Sequence, residues 1–170
     1  MVKKFVIILI VFLFLSSINY NKGSNKISKT ILQNKIVYNY IEQKEKPIGN
    51  LIIKKIKVNN SLYDIKSHNN NVDKNVTILY RDDNTMVLAA HSGTGKVAYF
   101  KSLNQLRAND EVIVNLNNKQ YKYIVKDIWE EEKNGTINFK KDEREQLILT
   151  TCSPNNNIRQ LVISCTKKEH

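Results

Sequence analysis

The sequence predicts an all-β domain, and three observations support that prediction. After Pro47 the apolar residues recur mainly at every second position, as at Leu51 and Ile53, which is the period of a strand with one buried face. The apolar runs are short and rich in Val, Ile and Tyr, residue types that favour strands. Asn, Asp and Gly separate the runs, as they do in turns between strands. About seven short strands in roughly 120 residues indicate a sandwich or a small closed barrel.

The first element is an apolar N-terminal segment. Met1-Val2-Lys3-Lys4 leads into an unbroken apolar stretch from Phe5 to Leu15, the pattern of a secretory signal. The stretch is shorter than the ~20 residues that span a bilayer comfortably, which favours a cleaved signal peptide. However, polar residues and no A-x-A cleavage site follow it. We therefore expect a signal anchor over residues 1–20, in the cell membrane, with the rest of the chain extracellular.

A polar segment over residues 21–47 follows the anchor. It is rich in Asn, Lys and Ser, with a weak helical rhythm in Ile31, Ile36 and Ile41. This composition predicts a stalk, and the rhythm allows a short helix at its end. The β domain is expected over residues 48–170.

The strands of the β domain are predicted from its short apolar runs. Asn117-Asn118 lies between two alternating runs and indicates a tight hairpin, because Asn tolerates positive φ. One helical interruption is expected at Ala98–Leu106, where Phe100, Leu103 and Leu106 recur every third residue. Beyond the opening run after Pro47, the predicted strands are Val76–Tyr80, Met86–Ala90, Glu111–Leu116, Gln120–Ile128, Gln146–Thr150 and Gln160–Ser164.

The chain is basic, with 27 Lys and Arg against 16 Asp and Glu among 170 residues and a net charge of +11. An anionic partner or surface is the first hypothesis for such a charge. Residues 1–30 contain five lysines and no acid, which leaves 11 − 5 = +6 for the remainder. The remaining lysines are scattered between apolar positions, so they predict a solvated surface and no nucleic-acid partner.

Two cysteines, Cys152 and Cys165, are the first candidates for chemistry. An exported protein often pairs its cysteines, but here Cys152 ends the strand before an Asn-rich turn and Cys165 ends the strand after it. If these strands form an antiparallel hairpin, the two cysteines lie a full strand length apart. A disulfide needs Cα atoms within about 7 Å, so we predict free thiols. Cys152 ends one strand and Arg159 opens the next, and a nearby cation favours thiolate over thiol. Cys152 is thus a candidate nucleophile, with an inert half-buried cysteine as the alternative.

His91 is the candidate partner of that nucleophile. It directly follows a predicted strand and precedes the glycine-containing loop Ser92–Lys96, a position from which it can face a cleft. His68 lies in a polar loop, and His170 is the last residue of the sequence. The GTGK sequence lacks the flanking residues of a phosphate-binding loop. No Cys or His residues stand at zinc-ligand spacing, so no metal site is predicted.

Three segments together resemble the sortase family of Gram-positive cell-surface transpeptidases: IGNLIIKKIKV, AAHSGTGKVAYFKSLNQLRANDEVIV and LILTTCSPNNNIRQLVIS. The resemblance covers roughly Ile48 to Ser164. It is carried by a Thr-Cys at a strand end followed by an Arg that opens the next strand, by a His at an earlier strand end, and by the signal anchor. The chain departs from the family pattern at Lys54, where Pro is common, and at Ile148, where Thr is common, and these departures affect the subclass.

The resemblance implies a closed eight-stranded β-barrel with one or two short helices. It implies that Cys152 is the nucleophile of a cysteine transpeptidase, that His91 is the general acid and base, and that Arg159 stabilises the oxyanion or the substrate. No cofactor is expected. Calcium dependence of some sortases is not supported here, since Asp82-Asp83 and Glu130–Glu132 are interpreted as solvated loop charges.

The resemblance also implies partners. The substrate would be a surface protein with a C-terminal Leu-Pro-x-Thr-Gly-like sorting signal, cut after Thr through a thioester on Cys152. The acceptor would be the amine of a lipid II-type cell-wall precursor at the membrane. Two alternatives remain: a pilus-polymerising sortase whose acceptor is a pilin lysine, and a non-enzymatic exported β-domain that binds wall polymers through its basic surface.

Overall fold

The structure is a computed structural model that describes residues 29–37, 45–140 and 144–169. The chain divides into two units, Met1–Lys44 and Glu45–His170. Of the first unit only residues 29–37 are described, and they are helical and exposed. The expected signal anchor over residues 1–20 lies outside the described residues. In the part of the chain that is described, no helix has the length and apolar character needed to cross a bilayer.

The second unit is built mainly from strands, as predicted. Two short 3-10 helices, Lys54–Ile56 and Leu103–Gln105, interrupt them. Within the described residues the strands are β1 (Gly49–Ile53), β2 (Val58–Leu62), β3 (Thr77–Arg81), β4 (Thr85–Ala89), β5 (Glu111–Leu116), β6 (Lys119–Glu132), β7 (Gln146–Cys152) and β8 (Arg159–Lys167).

The eight strands form one sheet that curls into a nearly closed barrel, in the order β2-β1-β5-β6-β8-β7-β4-β3. The edge strands approach each other where the Val76 amide, just before β3, donates to Asn60 Oδ1 of β2 at 2.9 Å. Neighbouring described strands run antiparallel except β4 and β7, which are parallel. The all-β fold and the eight-stranded barrel expected from the resemblance are confirmed.

The hairpin between β5 and β6 has the predicted chemistry. Asn117 and Asn118 have φ values of 49° and 64°, and Leu116 pairs with Lys119 across them. A two-residue turn with positive φ at both positions matches the right-handed twist of the flanking strands, and Asn adopts that conformation at low cost.

The opening run after Pro47 is two strands, not one. Residues 54–56 form a 3-10 helix and Lys57 adopts a left-handed conformation with φ of 57°, so the chain reverses and β2 pairs antiparallel with β1. No Gly, Pro or Asn stands at the reversal, which is why the sequence pattern does not reveal it. The interruption expected at Ala98–Leu106 is mostly turns around the 3-10 helix Leu103–Gln105. A 3-10 helix has three residues per turn, which accounts for the three-residue spacing.

The barrel buries apolar side chains on both faces of its sheet. The interior cluster includes Leu51, Leu88, Leu149 and Ile163. A smaller outer cluster covers the other face of β4, β7 and β8; it consists of Val87, Ile148 and Val162, with Trp129, Ile137 and Phe139 packed against them. The connection after β6 supplies Ile137 and Phe139 to this cluster, so it lies over the outer face.

Candidate active site

The parallel pairing of β4 and β7 brings His91 and Cys152 to the same rim of the barrel. Ala89 pairs with Thr150 in this register, and His91 and Cys152 each lie two residues further along. Adjacent strands are ~4.8 Å apart, so the two backbones are neighbours at the carboxyl ends of their strands. Alternation along each strand assigns both residues to the face of the outer cluster, because Val87 lies four residues before His91 and Ile148 four before Cys152.

A buried hydrogen bond ties these two strand ends together. The Thr151 hydroxyl donates to the carbonyl oxygen of Ala90 at 2.7 Å, and both residues are buried. A second bond holds His91 itself: the Phe100 amide donates to the His91 carbonyl at 3.0 Å, and the Phe100 side chain packs in the interior cluster. The backbone that carries His91 is therefore held from two sides.

His91 has a carboxylate partner that sequence reasoning missed. Its Nε2 lies 2.8 Å from Oδ1 of Asp73, with side-chain exposures of 42% and 76% respectively. Asp73 lies between β2 and β3, where its amide donates to Asn71 Oδ1 at 2.8 Å. The two partners are 18 residues apart in sequence, and no local motif links them. Only the path of the β2–β3 connection over the rim brings them together.

Cys152 ends β7 as a half-buried free thiol. Its sulfur lies 3.6 Å from the ammonium nitrogen of Lys133. Lys133 directly follows β6 and was not among the predicted site residues. Gln160 pairs with Cys152 across the β7–β8 ladder.

Arg159 opens β8 next to Gln160, the strand partner of Cys152, but its side chain bonds to a different residue. Its Nη2 donates to the carbonyl oxygen of Glu130 at 2.5 Å, and its Nε lies 3.5 Å from Oε2 of the same residue. The Ser153 hydroxyl also donates to Glu130, at 2.7 Å, while the Ser153 amide donates to the Arg159 carbonyl at 2.9 Å. Among the described residues, the Arg159 guanidinium therefore bonds to Glu130. The backbone of Arg159 is near Cys152, because the next residue, Gln160, is the strand partner of Cys152.

Cys165 is separate from this site, as predicted. It is fully buried, it pairs with Leu147 across the ladder, and both cysteines are free. Burial raises the pKa of the Cys165 thiol well above its ordinary value. An uncharged, enclosed thiol is a poor nucleophile, which leaves Cys152 as the candidate nucleophile of the site.

The acidic run Glu130–Glu132 lies on β6 and not in a loop, so its interpretation as loop charge is wrong. Burial raises the pKa of the Glu131 carboxyl, but donors from Asn138, Gln160 and Trp129 outweigh it and hold the pKa below its ordinary value. Asp82 caps the β3–β4 turn by accepting from the amides of Asn84 and Thr85. Among residues 45–140 and 144–169, no three His, Cys, Asp or Glu side chains cluster as metal ligands.

Comparisons with known proteins agree with this architecture. The family model described as "Sortase domain" matches residues 51–168, a span that contains His91, Cys152 and Arg159. No curated protein sequence matches the chain.

Solved structures give the same fold at low identity. A lid mutant of sortase A from Corynebacterium diphtheriae superposes with a TM-score of 0.64 at 18% identity, covering 75% of this chain and 73% of that one. Sortase C1 from Streptococcus suis gives 0.63 at 23% identity, with 80% of each chain covered. Sortase C from Streptococcus pneumoniae, described in connection with pilin substrate specificity, gives 0.62 at 20% identity, covering 73% and 67%. With the family model matching more than half of the sequence, the chain belongs to the sortase family.

Proposed function

We propose that this sortase is a cysteine transpeptidase that cleaves a Leu-Pro-x-Thr-Gly-like sorting signal after Thr and transfers the surface protein to an amine of a cell-wall precursor. The observation that carries the proposal is the parallel register of β4 and β7, which sets a histidine and a half-buried thiol on the same face of the sheet at one rim. A nucleophile beside a proton-transfer group is the minimum requirement for covalent acyl transfer.

In the first half-reaction the Cys152 thiolate attacks the carbonyl carbon of the Thr–Gly peptide bond. The C–S bond forms, the C–N bond breaks, and the electron pair of that bond leaves with the amine of Gly. His91 in its protonated form gives the leaving amine its proton. The product is a thioester on Cys152, which divides one difficult step into two easier ones.

Arg159 is proposed to stabilise the negative charge that develops on the carbonyl oxygen. A guanidinium has five N–H donors in a fixed fork, and the contacts with Glu130 use only those at Nη2 and Nε. The remaining donors can serve the oxyanion while Glu130 keeps the guanidinium in place. Preorganised donors of this kind are usually the largest single contribution to acyl-transfer catalysis.

In the second half-reaction an amine attacks the thioester. The C–N bond forms, the C–S bond breaks with its electron pair returning to sulfur, and His91 takes the proton of the attacking amine. The proposed acceptor is the amine of a lipid II-type precursor, and the expected signal anchor over residues 1–20 would keep the enzyme at the cell surface. A pilin lysine is the alternative acceptor, since the sortases of similar fold include one described in connection with pilin substrates.

The test is intact-protein mass spectrometry of the full chain in detergent, incubated with Leu-Pro-x-Thr-Gly-type peptides. Wild type is expected to gain a thioester adduct that hydroxylamine releases, and Cys152→Ala is expected to gain none. Cys165→Ala is the matched control and should still form the adduct. Added glycine-terminated and lysine-containing peptides then compete as acceptors, and the better one identifies the acceptor class. If the folded wild type forms no adduct with any peptide, the transpeptidase assignment fails and the wall-binding alternative replaces it.

A further inference from the structure

We propose that Lys133 is a further catalytic residue, whose ammonium group stabilises the thiolate of Cys152. The inference rests on the proposed function, because Cys152 is taken as the nucleophile. Lys133 lies outside the sequence segments that contain Cys152, His91 and Arg159. Lys133 contacts the reacting sulfur itself, with Nζ 3.6 Å from Sγ.

The backbone around Lys133 is fixed by the strands of the site. The Lys133 amide donates to the Ile158 carbonyl at 2.8 Å, which continues the β6–β8 ladder by one step beyond the Glu132–Arg159 pair. Gly135 then adopts a left-handed φ of 87°, a conformation that glycine reaches without steric cost. The Asn134 amide donates to the Glu132 carbonyl at 3.1 Å, so backbone hydrogen bonds hold the chain on both sides of Lys133 at the end of β6.

The chain leaving this turn is also held against the sheet. The Gln160 side-chain nitrogen Nε2 donates to the Thr136 carbonyl at 2.6 Å, and Gln160 is the residue that pairs with Cys152. Asn138 donates to the Glu131 carboxylate through its amide at 3.1 Å. The segment that carries Lys133 is therefore braced on both sides, which limits how far its backbone moves from the sulfur.

The charges around Cys152 indicate why a second cation would favour its thiolate form. The guanidinium of Arg159, the cation expected from the sequence, forms an ion pair with Glu130, so its charge is largely offset. The low pKa of Glu131 keeps a further negative charge on the outer face. Negative charge nearby disfavours a thiolate, and Lys133 opposes it at the shortest range. Of the charged or titratable groups on the neighbouring elements, Lys133 contacts the sulfur, and Glu131 is the strand partner of Gln160, which in turn pairs with Cys152. Arg159 is paired with Glu130, and His91, which follows β4, is paired with Asp73.

The two cations then have different tasks in the reaction. Lys133 stabilises charge on sulfur, before attack on the substrate and again when the thiolate leaves the thioester. Arg159 stabilises charge on the carbonyl oxygen between those events. Because the thiolate and not the thiol is the nucleophile, loss of Lys133 lowers the reactive fraction of Cys152 even when no substrate is present.

The test is the rate at which iodoacetamide, an uncharged reagent, alkylates Cys152 in the full chain as a function of pH. Peptide mass spectrometry assigns the modified residue, and buried Cys165 is expected to stay unmodified in the native protein. Lys133→Met is expected to move the half-maximal pH upward and to lower the rate at pH 7 by about fivefold, the upper end for an exposed ion pair. Lys133→Arg keeps the charge and is expected to stay close to wild type. Lys119→Met, at the opposite end of β6, is the matched control.

An unchanged pH profile of alkylation in Lys133→Met would overturn the inference. An equal loss of alkylation rate in Lys133→Arg and Lys133→Met would overturn it as well. Circular dichroism of each variant establishes that the fold is retained. Because alkylation needs no sorting peptide, this result is independent of the proposed function. A Lys133 effect on alkylation together with no peptide adduct would refute the transpeptidase assignment alone, whereas adduct formation with no Lys133 effect on alkylation would refute this inference alone.

Discussion

Replacing Thr151 with valine is expected to slow acyl transfer more than its effect on stability accounts for. The Thr151 hydroxyl donates to the Ala90 carbonyl at 2.7 Å, and the two residues are only 6% and 4% exposed. Valine has nearly the same volume, so little cavity forms, but the Ala90 oxygen loses a buried donor. An unpaired buried group costs about 1–3 kcal/mol. The same bond fixes the spacing between the strand ends that carry Cys152 and His91.

Thr150→Val is the matched control for this variant. The Thr150 hydroxyl donates to the Leu161 carbonyl at 3.1 Å in an equally buried environment. That bond joins β7 to β8, whereas the Thr151 bond joins β7 to the end of β4. Both variants are therefore expected to lose a similar free energy of unfolding, but only Thr151→Val releases the strand end that leads into His91.

Urea denaturation measures the stability of both variants, and initial rates of amine-dependent peptide transfer measure their activity at a temperature where both are folded. Thr151→Val is expected to lose on the order of tenfold in kcat, because small displacements of catalytic groups have large kinetic effects. Equal rates in the two variants would refute the reasoning that the Thr151 bond positions His91. An unchanged unfolding midpoint in Thr151→Val would show that the bond contributes nothing to stability.

Three further variants probe other parts of the fold. Asp73→Asn removes the charge that faces His91, and since an exposed pair is worth up to ~1 kcal/mol, kcat should fall by up to about fivefold with KM unchanged; a change in KM alone would contradict this. Gly49→Ala places a Cβ 1.9 Å from a carbonyl oxygen of β5, so thermal unfolding should show a loss of about 1–3 kcal/mol. Although burial raises the pKa of Asp110, the Lys55 ammonium and a backbone amide hold it below its ordinary value. The stability that the ionised Asp110 carboxyl contributes is therefore present at neutral pH and lost as pH falls through the lowered pKa. Asp110→Asn should be less stable than wild type at pH 7, by under about 1 kcal/mol, and the difference should shrink as the pH is lowered.

The features that were predictable from sequence are those determined by neighbouring residues. Asn117-Asn118 identified its hairpin because positive φ at both positions is a local preference. The separation of Cys152 from Cys165 followed from counting residues along two strands joined by a short turn. In both cases the physical cause lies within about 20 residues of sequence, so no knowledge of the tertiary fold was required.

The features that were missed depend on contacts between distant segments. Asp73 meets His91 because the β2–β3 connection crosses the rim, and Lys133 meets Cys152 because the unusually long β6 ends there. Three consecutive glutamates lack the alternation of a half-buried strand, so Glu130–Glu132 were interpreted as loop. Their strand conformation comes from backbone pairing with β8, and backbone pairing leaves no trace in the sequence pattern when no apolar side chain marks the buried face.

The location of the site follows from the one departure from antiparallel pairing among the described strands. In an antiparallel pair, the carboxyl end of one strand lies beside the amino end of its neighbour, so two strand-terminal side chains followed by loops do not meet. In the parallel pair β4 and β7, both strands end at the same rim, and each continues into a loop, Ser92–Lys96 after His91 and Pro154–Ile158 after Cys152. The proposed catalytic pair, His91 and Cys152, thus stands at the ends of paired strands, while the adjoining loops can change in sequence without altering that pairing. This arrangement separates the positioning of the reacting groups from the selection of substrate.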